Sequence, residues 1–253
     1  MPRRQGMLDM PKRLNDAAEI RKVFADLMKP TLNKMLYKQL SDGPQVTEID
    51  GEAGVNLPPG YRLIRVDGRK PSTRPQDFEI AMVNDVTESV VYYNHVIVTK
   101  LCELDIKPAT QSLVWRSPDA RHRPVLRDLA SNVFFNYILD KYNALLSDGN
   151  QTSGGQFFWE SQVSSALSKG KHVYFYKMMS AELETVPDQD TFDIIKEHIW
   201  GDTDSHEHNL MLISNESLPK DAKYVMPVDL IDDLNKTDVA APYVRDPSDP
   251  EPR

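Results

Sequence analysis

The order in which strand-like and helix-like runs follow one another most limits the fold of this chain. Four short runs rich in β-branched and aromatic residues come first: YRLIRV (61–66), FEIAMV (78–83), VVYYNHVIVTKL (90–101) and QSLVW (111–115). No helical period separates them, so they predict four strands in succession. Over residues 125–142 the period changes, because Leu126, Leu129, Val133, Tyr137 and Ile138 share one face and predict a helix of about five turns. Strands and helices then alternate: apolar Ala144–Leu146, turn-rich SDGNQTSGG (147–155), a helix to about Leu167, a strand over 172–178, a helix over 192–198 and a strand over 209–213. The order β-β-β-β-α-β-α-β-α-β predicts an α+β fold, a mixed central sheet flanked by helices.

The flanks differ from this block. Leu14, Ala17, Ala18, Val23, Phe24, Leu27 and Met28 recur at helical spacing, and Pro30 breaks the run, which predicts one or two amphipathic helices. Residues 46–60 are rich in glycine, proline and acids and read as a linker. Residues 1–45 are then an N-terminal helical arm, suited to docking a protein partner or to self-association. The α/β domain runs over 61–235, and 236–253, polar and proline-rich, is a loose tail.

Composition narrows the functions. With 40% hydrophobic residues the chain can bury a core, which excludes full disorder. Thirty basic against 38 acidic residues give a net charge of -8, which argues against non-specific nucleic-acid binding. No apolar run approaches the roughly 20 residues of a bilayer helix, and MPRRQ is not followed by a signal-peptide apolar block. The expectation is a soluble intracellular protein with no membrane partner. Cys102 is the one cysteine, so internal disulfides and cysteine-based zinc clusters are excluded, and its Leu101 and Leu104 neighbours suit a small core hydrophobe.

The first candidate site follows the fourth strand. A strand, turn and helix present unpaired N–H groups to an anion, and here the turn lies at 121–126. Trp115 at the strand end, with Arg121, His122 and Arg123 beyond it and Arg116 beside it, would surround a phosphate-bearing cofactor. A basic surface turn without a ligand has the same composition.

The run VWRSPDARHRPVL, then a long helix, then LLSDGNQTSGGQFFWE, resembles the central part of GNAT-fold proteins. It is especially similar to GNAT-like proteins encoded by bacteriophages, in which a Ser-Asp pair, a Gln-Thr pair, a glycine and a tryptophan recur in this order. Here these are Ser147, Asp148, Gln151, Thr152, Gly154 and Trp159. With HVYFYKM and IWGDTDSHEHNLMLIS, the resemblance spans roughly residues 78–214. It implies acyl transfer from acetyl-CoA to an amine, or a non-catalytic relative that kept the fold, in an infected cell or a virion.

In that family the cofactor pyrophosphate lies on a loop of pattern Arg/Gln-x-x-Gly-x-Gly/Ala. Arg121 matches its first position, and Pro124 and Leu126 occupy its glycine positions. Where the family often places a tyrosine acid, this chain has Phe157, Phe158 and Trp159. For catalysis there remain Asp148 as a base and Ser147 or Thr152 as orienting hydroxyls. An Asx or ST turn capping a helix accounts for the same segment.

A second constellation lies at 202–229. Asp204-x-His206-x-x-Asn209 before an apolar strand, with Asp229 downstream, is similar to the catalytic segment of kinase-like phosphotransferases that use Mg-ATP. The same stretch, with Asp202, His208 and His198, has the donors of a Zn²⁺ or Mn²⁺ site or of a solvated loop. Three functions stand: an acetyl-CoA-dependent acyltransferase or its degenerate relative, a small phosphotransferase, and a non-enzymatic interaction protein acting through its arm.

Overall fold

The computed structural model describes residues 17–69, 77–101, 104–148, 153–200 and 209–219. Helix α1 (Ala17–Met28) and helix α2 (Pro30–Ser41) meet at Lys29, and Pro30 sits at the first helical position, where its missing N–H leaves no bond unmade. Both helices lie on the sheet: Val23, Phe24, Leu27, Leu36, Tyr37 and Leu40 pack against its apolar residues. Asn33 fixes the junction by donating to the carbonyls of Leu27 (2.9 Å) and Val90 (3.0 Å) and accepting from the Val90 N–H (2.7 Å). The described part of the arm is therefore one wall of the folded body.

The stretch read as a linker is also folded. Strand β1 (Gln45–Glu48) pairs antiparallel with strand β2 (Tyr61–Asp67), and the turn between them buries Ile49 and Ala53. Its glycines and prolines make a tight return rather than a tether; Gly54, at φ +66°, holds a position that favours glycine.

Strands β3 (Phe78–Asn84), β4 (Ser89–Val98) and β5 (Ala109–Arg116) extend the sheet, each antiparallel to the one before. All seven residues of β3 are buried, since helices cover one face and α1 and α2 the other. Next come β6 (Ala144–Leu146), β7 (His172–Lys177), β8 (Glu182–Thr185) and β9 (Asn209–Ser214). Among the described residues, nine strands form one mixed sheet in the order β1-β2-β3-β4-β5-β6-β9-β7-β8. The α+β class follows directly.

The helix expected from Val125 starts later. Residues Arg123–Leu126 form a single turn, and Asp128, at φ +57°, breaks the backbone. Helix α3 then spans residues 129–142, with Val133–Leu139 wound as a π-helix. The wider turn narrows the arc over which Val133, Phe134, Phe135, Tyr137, Ile138 and Leu139 are spread, and all six are buried. Only Asn136 points away in that run, and its amide donates to the Ala53 carbonyl at 3.1 Å.

Helix α4 (Ser153–Ser168) lies beside α3, with Trp159 edge-on to Phe134 and Ser131 donating to Gln162 at 3.1 Å. Helix α5 (Gln189–Trp200) adds Phe192 and Ile199 to the same core. On the opposite face, α1 and α2 cover the β2–β5 half. Leu101 and Leu104, from the β4–β5 connection, join a separate cluster with Tyr174, Tyr176 and Leu212. No helix among the described residues is long and apolar enough to cross a membrane.

Candidate active site

Strand β5 changes face partway along. Ala109 and Val114 belong to the helix-side core and Leu113 and Trp115 to the α1–α2 side. A strict alternation would place 109 and 113 together; instead the β4–β5 register shifts between His95 and Val96. His95 opposes Leu113, Val96 opposes Gln111, and Ser112 is left over as a bulge.

The Ser112 hydroxyl lies 2.8 Å from His95 Nδ1 and 3.2 Å from the His95 carbonyl oxygen. A carbonyl only accepts, so both contacts are met when the hydroxyl donates to it and Nδ1–H donates to Oγ. That tautomer puts the ring lone pair on Nε2. Across the β3–β4 ladder, Glu79 is the register partner of His95. Arg69 grips the Glu79 carboxylate through Nε to Oε2 (2.6 Å) and Nη2 to Oε1 (2.5 Å), and the Tyr93 hydroxyl donates to it as well. Burial pushes the Tyr93 hydroxyl well above its ordinary range, and the Glu79 charge adds to the effect, so Tyr93 stays protonated at neutral pH.

On its other side, β5 meets β6 at a single parallel pair, Ala109 with Leu145. β6 is committed to β9: Ala144, Leu145 and Leu146 pair with Ser214, Ile213 and Leu212. Ser147 prolongs that ladder, its N–H donating to the Met211 carbonyl (2.8 Å) and its hydroxyl accepting from the Met211 N–H (2.9 Å). Beyond Ala109 the strands share no further pair among the described residues, and the rest of β5 presents a strand edge toward the gap. Such an edge accepts an extended amide-bearing ligand as a sheet accepts another strand.

Two buried carboxamides lie on the helix-side face of β4 and β5. Asn94 is 0% exposed and Gln111 5%. Alternation along β4 puts Asn94 on the helix-side face between Tyr92 and Val96, and Gln111 opposes Val96 on that face. Asn94 Nδ2 donates to the Tyr92 hydroxyl at 3.2 Å. Asn94 Oδ1, Gln111 Oε1 and Gln111 Nε2 have no partner among the described residues. Buried polar atoms rarely stay unpaired, so each of these carboxamides has hydrogen-bonding capacity for an ordered water or a polar group.

The sequence-derived candidates lie in two places. Ser147 is 2% exposed and spent on the β9 backbone, and half-buried Asp148 follows it at the end of β6. Trp115, Arg121 and His122 come together at the other end of β5. There they line an open pocket of about 470 Å³ with Lys34 and Glu88; Arg123 is exposed beside it.

Two of the cations at that pocket, Arg121 and Lys34, are paired within the protein. Asp119 caps the turn by accepting from the Arg121 N–H (2.9 Å) and binds the Arg121 guanidinium (2.6 Å), while Lys34 meets Glu88 (2.5 Å). The Arg121 side-chain bond draws the Asp119 carboxyl down to about 2. The N–H group expected to seat a pyrophosphate thus holds a carboxylate of the chain itself. His122 is 8% exposed, with Nδ1 2.9 Å from the Tyr61 hydroxyl; burial lowers its pKa, so it is neutral at pH 7.

Trp159 is a core residue, and Asn209 opens β9 opposite Lys177. Cys102, Gln151, Thr152, Asp202, Asp204, His206, His208 and Asp229 lie outside the described residues. Among the described residues no three His, Cys, Asp or Glu side chains are grouped to hold a metal.

Glu79, Asn94, His95, Gln111 and Ser112 were not singled out by sequence reasoning. Their signal was a polar residue inside a run otherwise apolar on both faces, as in FEIAMV and VVYYNHVIV. No protein-family model matches this chain, and no curated protein matches it either.

Proposed function

We propose that this protein is a GNAT-type acyltransferase that takes an acyl-CoA along β5 and transfers its acyl group to an amine. One observation carries the proposal: parallel β5 and β6 pair once, at Ala109 and Leu145, and then part, with β5 bulged at Ser112. The arm of an acyl-CoA is extended and carries two secondary amides, which suits a strand edge. When bound, an acyl-CoA supplies an activated thioester: an amine nitrogen bonds to the acyl carbon, the carbon–sulfur bond breaks and the sulfur leaves as thiolate.

The chain's own residues do the rest. The bulge sets Ser112 and His95 out of the regular ladder, and the proton released by the amine passes to the departing thiolate. Ser112 fixes the imidazole tautomer. Tyr93, protonated, and the Arg69–Glu79 pair keep the surrounding charge balanced. Arg116 and Arg123, exposed toward the C-terminal end of β5, are cations suited to the donor's phosphates, in place of the turn already capped by Asp119.

Calorimetric titration with acetyl-CoA and free CoA tests the proposal, with Mg-ATP as the parallel run. Saturable binding of the CoA compounds is expected, and silence at millimolar ligand would sink it. With binding in place, release of free thiol from acetyl-CoA in the presence of an amine is the second expected result, and binding without thiol release would leave only the non-catalytic relative.

A further inference from the structure

The exposed apolar side chains of this protein are not scattered. Among the described residues seven large ones are exposed, and five of them fall in two stretches: Met28, Leu32 and Met35 on α1 and α2, and Met179 and Ile194 on the β7–β8 turn and α5. Met179 and Ile194 are 70% and 72% exposed, Met28 62%. Side chains of this kind gain most when a partner covers them.

The two stretches carry opposite charge. Residues 17–41 hold five basic and two acidic side chains, and residues 177–196 hold five acidic and two basic ones. On the outer faces of α1 and α2, Lys22, Lys29, Lys34 and Lys38 stand exposed among the methionines. Lys29 is paired with Asp26 and Lys34 with Glu88, while Lys22 and Lys38 have no ion pair among the described residues. On the other stretch Lys177 lies between Glu182 and Glu184, and Lys196 meets Asp193. Exposed Asp188 and Asp190 keep that surface negative beside Ile194.

One molecule cannot close this contact on itself. Helices α1 and α2 cover the β2–β5 half of one face, whereas β8 is the last strand at the far end of the sheet and α5 packs on the opposite face. The complement of each surface is therefore found on another copy of the chain.

We infer that the α1–α2 face of one molecule docks head to tail on the β7–β8 turn and α5 of a second copy. The apolar side chains supply the contact, and the opposite charges orient it. Because the two surfaces differ, each docked pair keeps one of each open, and association continues into a ring or a short chain. The contact uses no residue of β5 or β6, so it stands apart from the acyl-CoA proposal.

The test is sedimentation velocity on the full chain. At about 0.05 M NaCl the sedimentation coefficient should rise with protein concentration up to about 0.1 mM, and at about 0.5 M NaCl the apparent Kd should weaken by about tenfold or more. Met35→Glu and Ile194→Lys change exposed side chains, so both variants should melt with the natural protein. Neither should associate alone. An equimolar mixture should associate, since the arm of one variant and the α5 of the other are both intact; a variant that merely misfolds cannot be complemented in this way.

A natural protein that stays monomeric at every concentration and salt overturns the inference. Co-sedimentation of that monomer with phosphatidylserine vesicles would assign the arm to a lipid surface instead. Undiminished association of Ile194→Lys would mean that arms pair with each other, and association indifferent to salt would reject a charge-matched contact.

Discussion

The two ends of β5 are opposite kinds of polar surface. At its C-terminal end, Arg121 is paired with Asp119 and Lys34 with Glu88, and neutral His122 meets Tyr61, so these groups already have partners inside the chain. Near its start, Gln111 carries no charge yet keeps both polar atoms of its buried carboxamide without a partner among the described residues. Basic residues crowded on a turn draw the eye in a sequence, but a group whose bonding is complete has little left for a ligand. Unspent hydrogen-bonding capacity marks a site better than charge density does.

This contrast can be broken in graded ways. The largest effect belongs to Glu79→Ala, which strands a half-buried Arg69 and a buried Tyr93 hydroxyl. It should cost about 3–5 kcal/mol, read as a lower denaturant midpoint. A loss below about 1 kcal/mol would mean that these groups find other partners.

Next comes Asn33→Ala, which leaves the Val90 N–H and two carbonyls unpaired where α1 and α2 meet the sheet. About 2–3 kcal/mol should be lost, and an unchanged midpoint would show that the helices are held by apolar contact alone.

A smaller effect is expected at His122. Its pKa is lowered in the fold by burial, while the unfolded chain titrates near 6.5, so the unfolded state takes up the proton first. The His122 contribution is therefore complete above about pH 6.5 and is lost as pH falls below it. Melting curves from pH 7.5 to 5 should show a shallower decline for His122→Phe than for the natural protein; parallel declines would assign the acid sensitivity elsewhere.

The smallest change is expected from Arg121→Ala. This side chain is 76% exposed and bonded to a neighbour two residues away, so melting should move by no more than about 1 °C. A large shift would make the turn a structural keystone and weaken the contrast between the two ends.

Much of the architecture could be read in advance because it follows from periods. FEIAMV, VVYYNHVIV and QSLVW fall in strands, and even Ala144–Leu146 was placed as a strand between helices. The edge strands β1 and β8 were invisible: QVTE and ELET are four residues each and mostly polar, and they pair only because a neighbour offers its edge. The start of α3 was misplaced since apolar spacing runs through Asp128, whose backbone turns left-handed. The site was the least legible part. No residue type announces a bulge; Ser112 becomes one because Leu113 must face α1 and α2 while Gln111 stays opposite Val96. Ser147, noticed for its motif, is spent on the Met211 backbone, a bond that only the fold creates.

The strand order also sets a timetable for synthesis. A ribosome releases β1 to β5 in the sequence in which they sit side by side, so each finds its neighbour waiting as it emerges. β7 and β8 arrive with no seat beside β6, because β9 lies between them. The second half of the sheet stays open until that later strand slides in, and what a growing chain must guard longest from aggregation is the apolar NLMLIS.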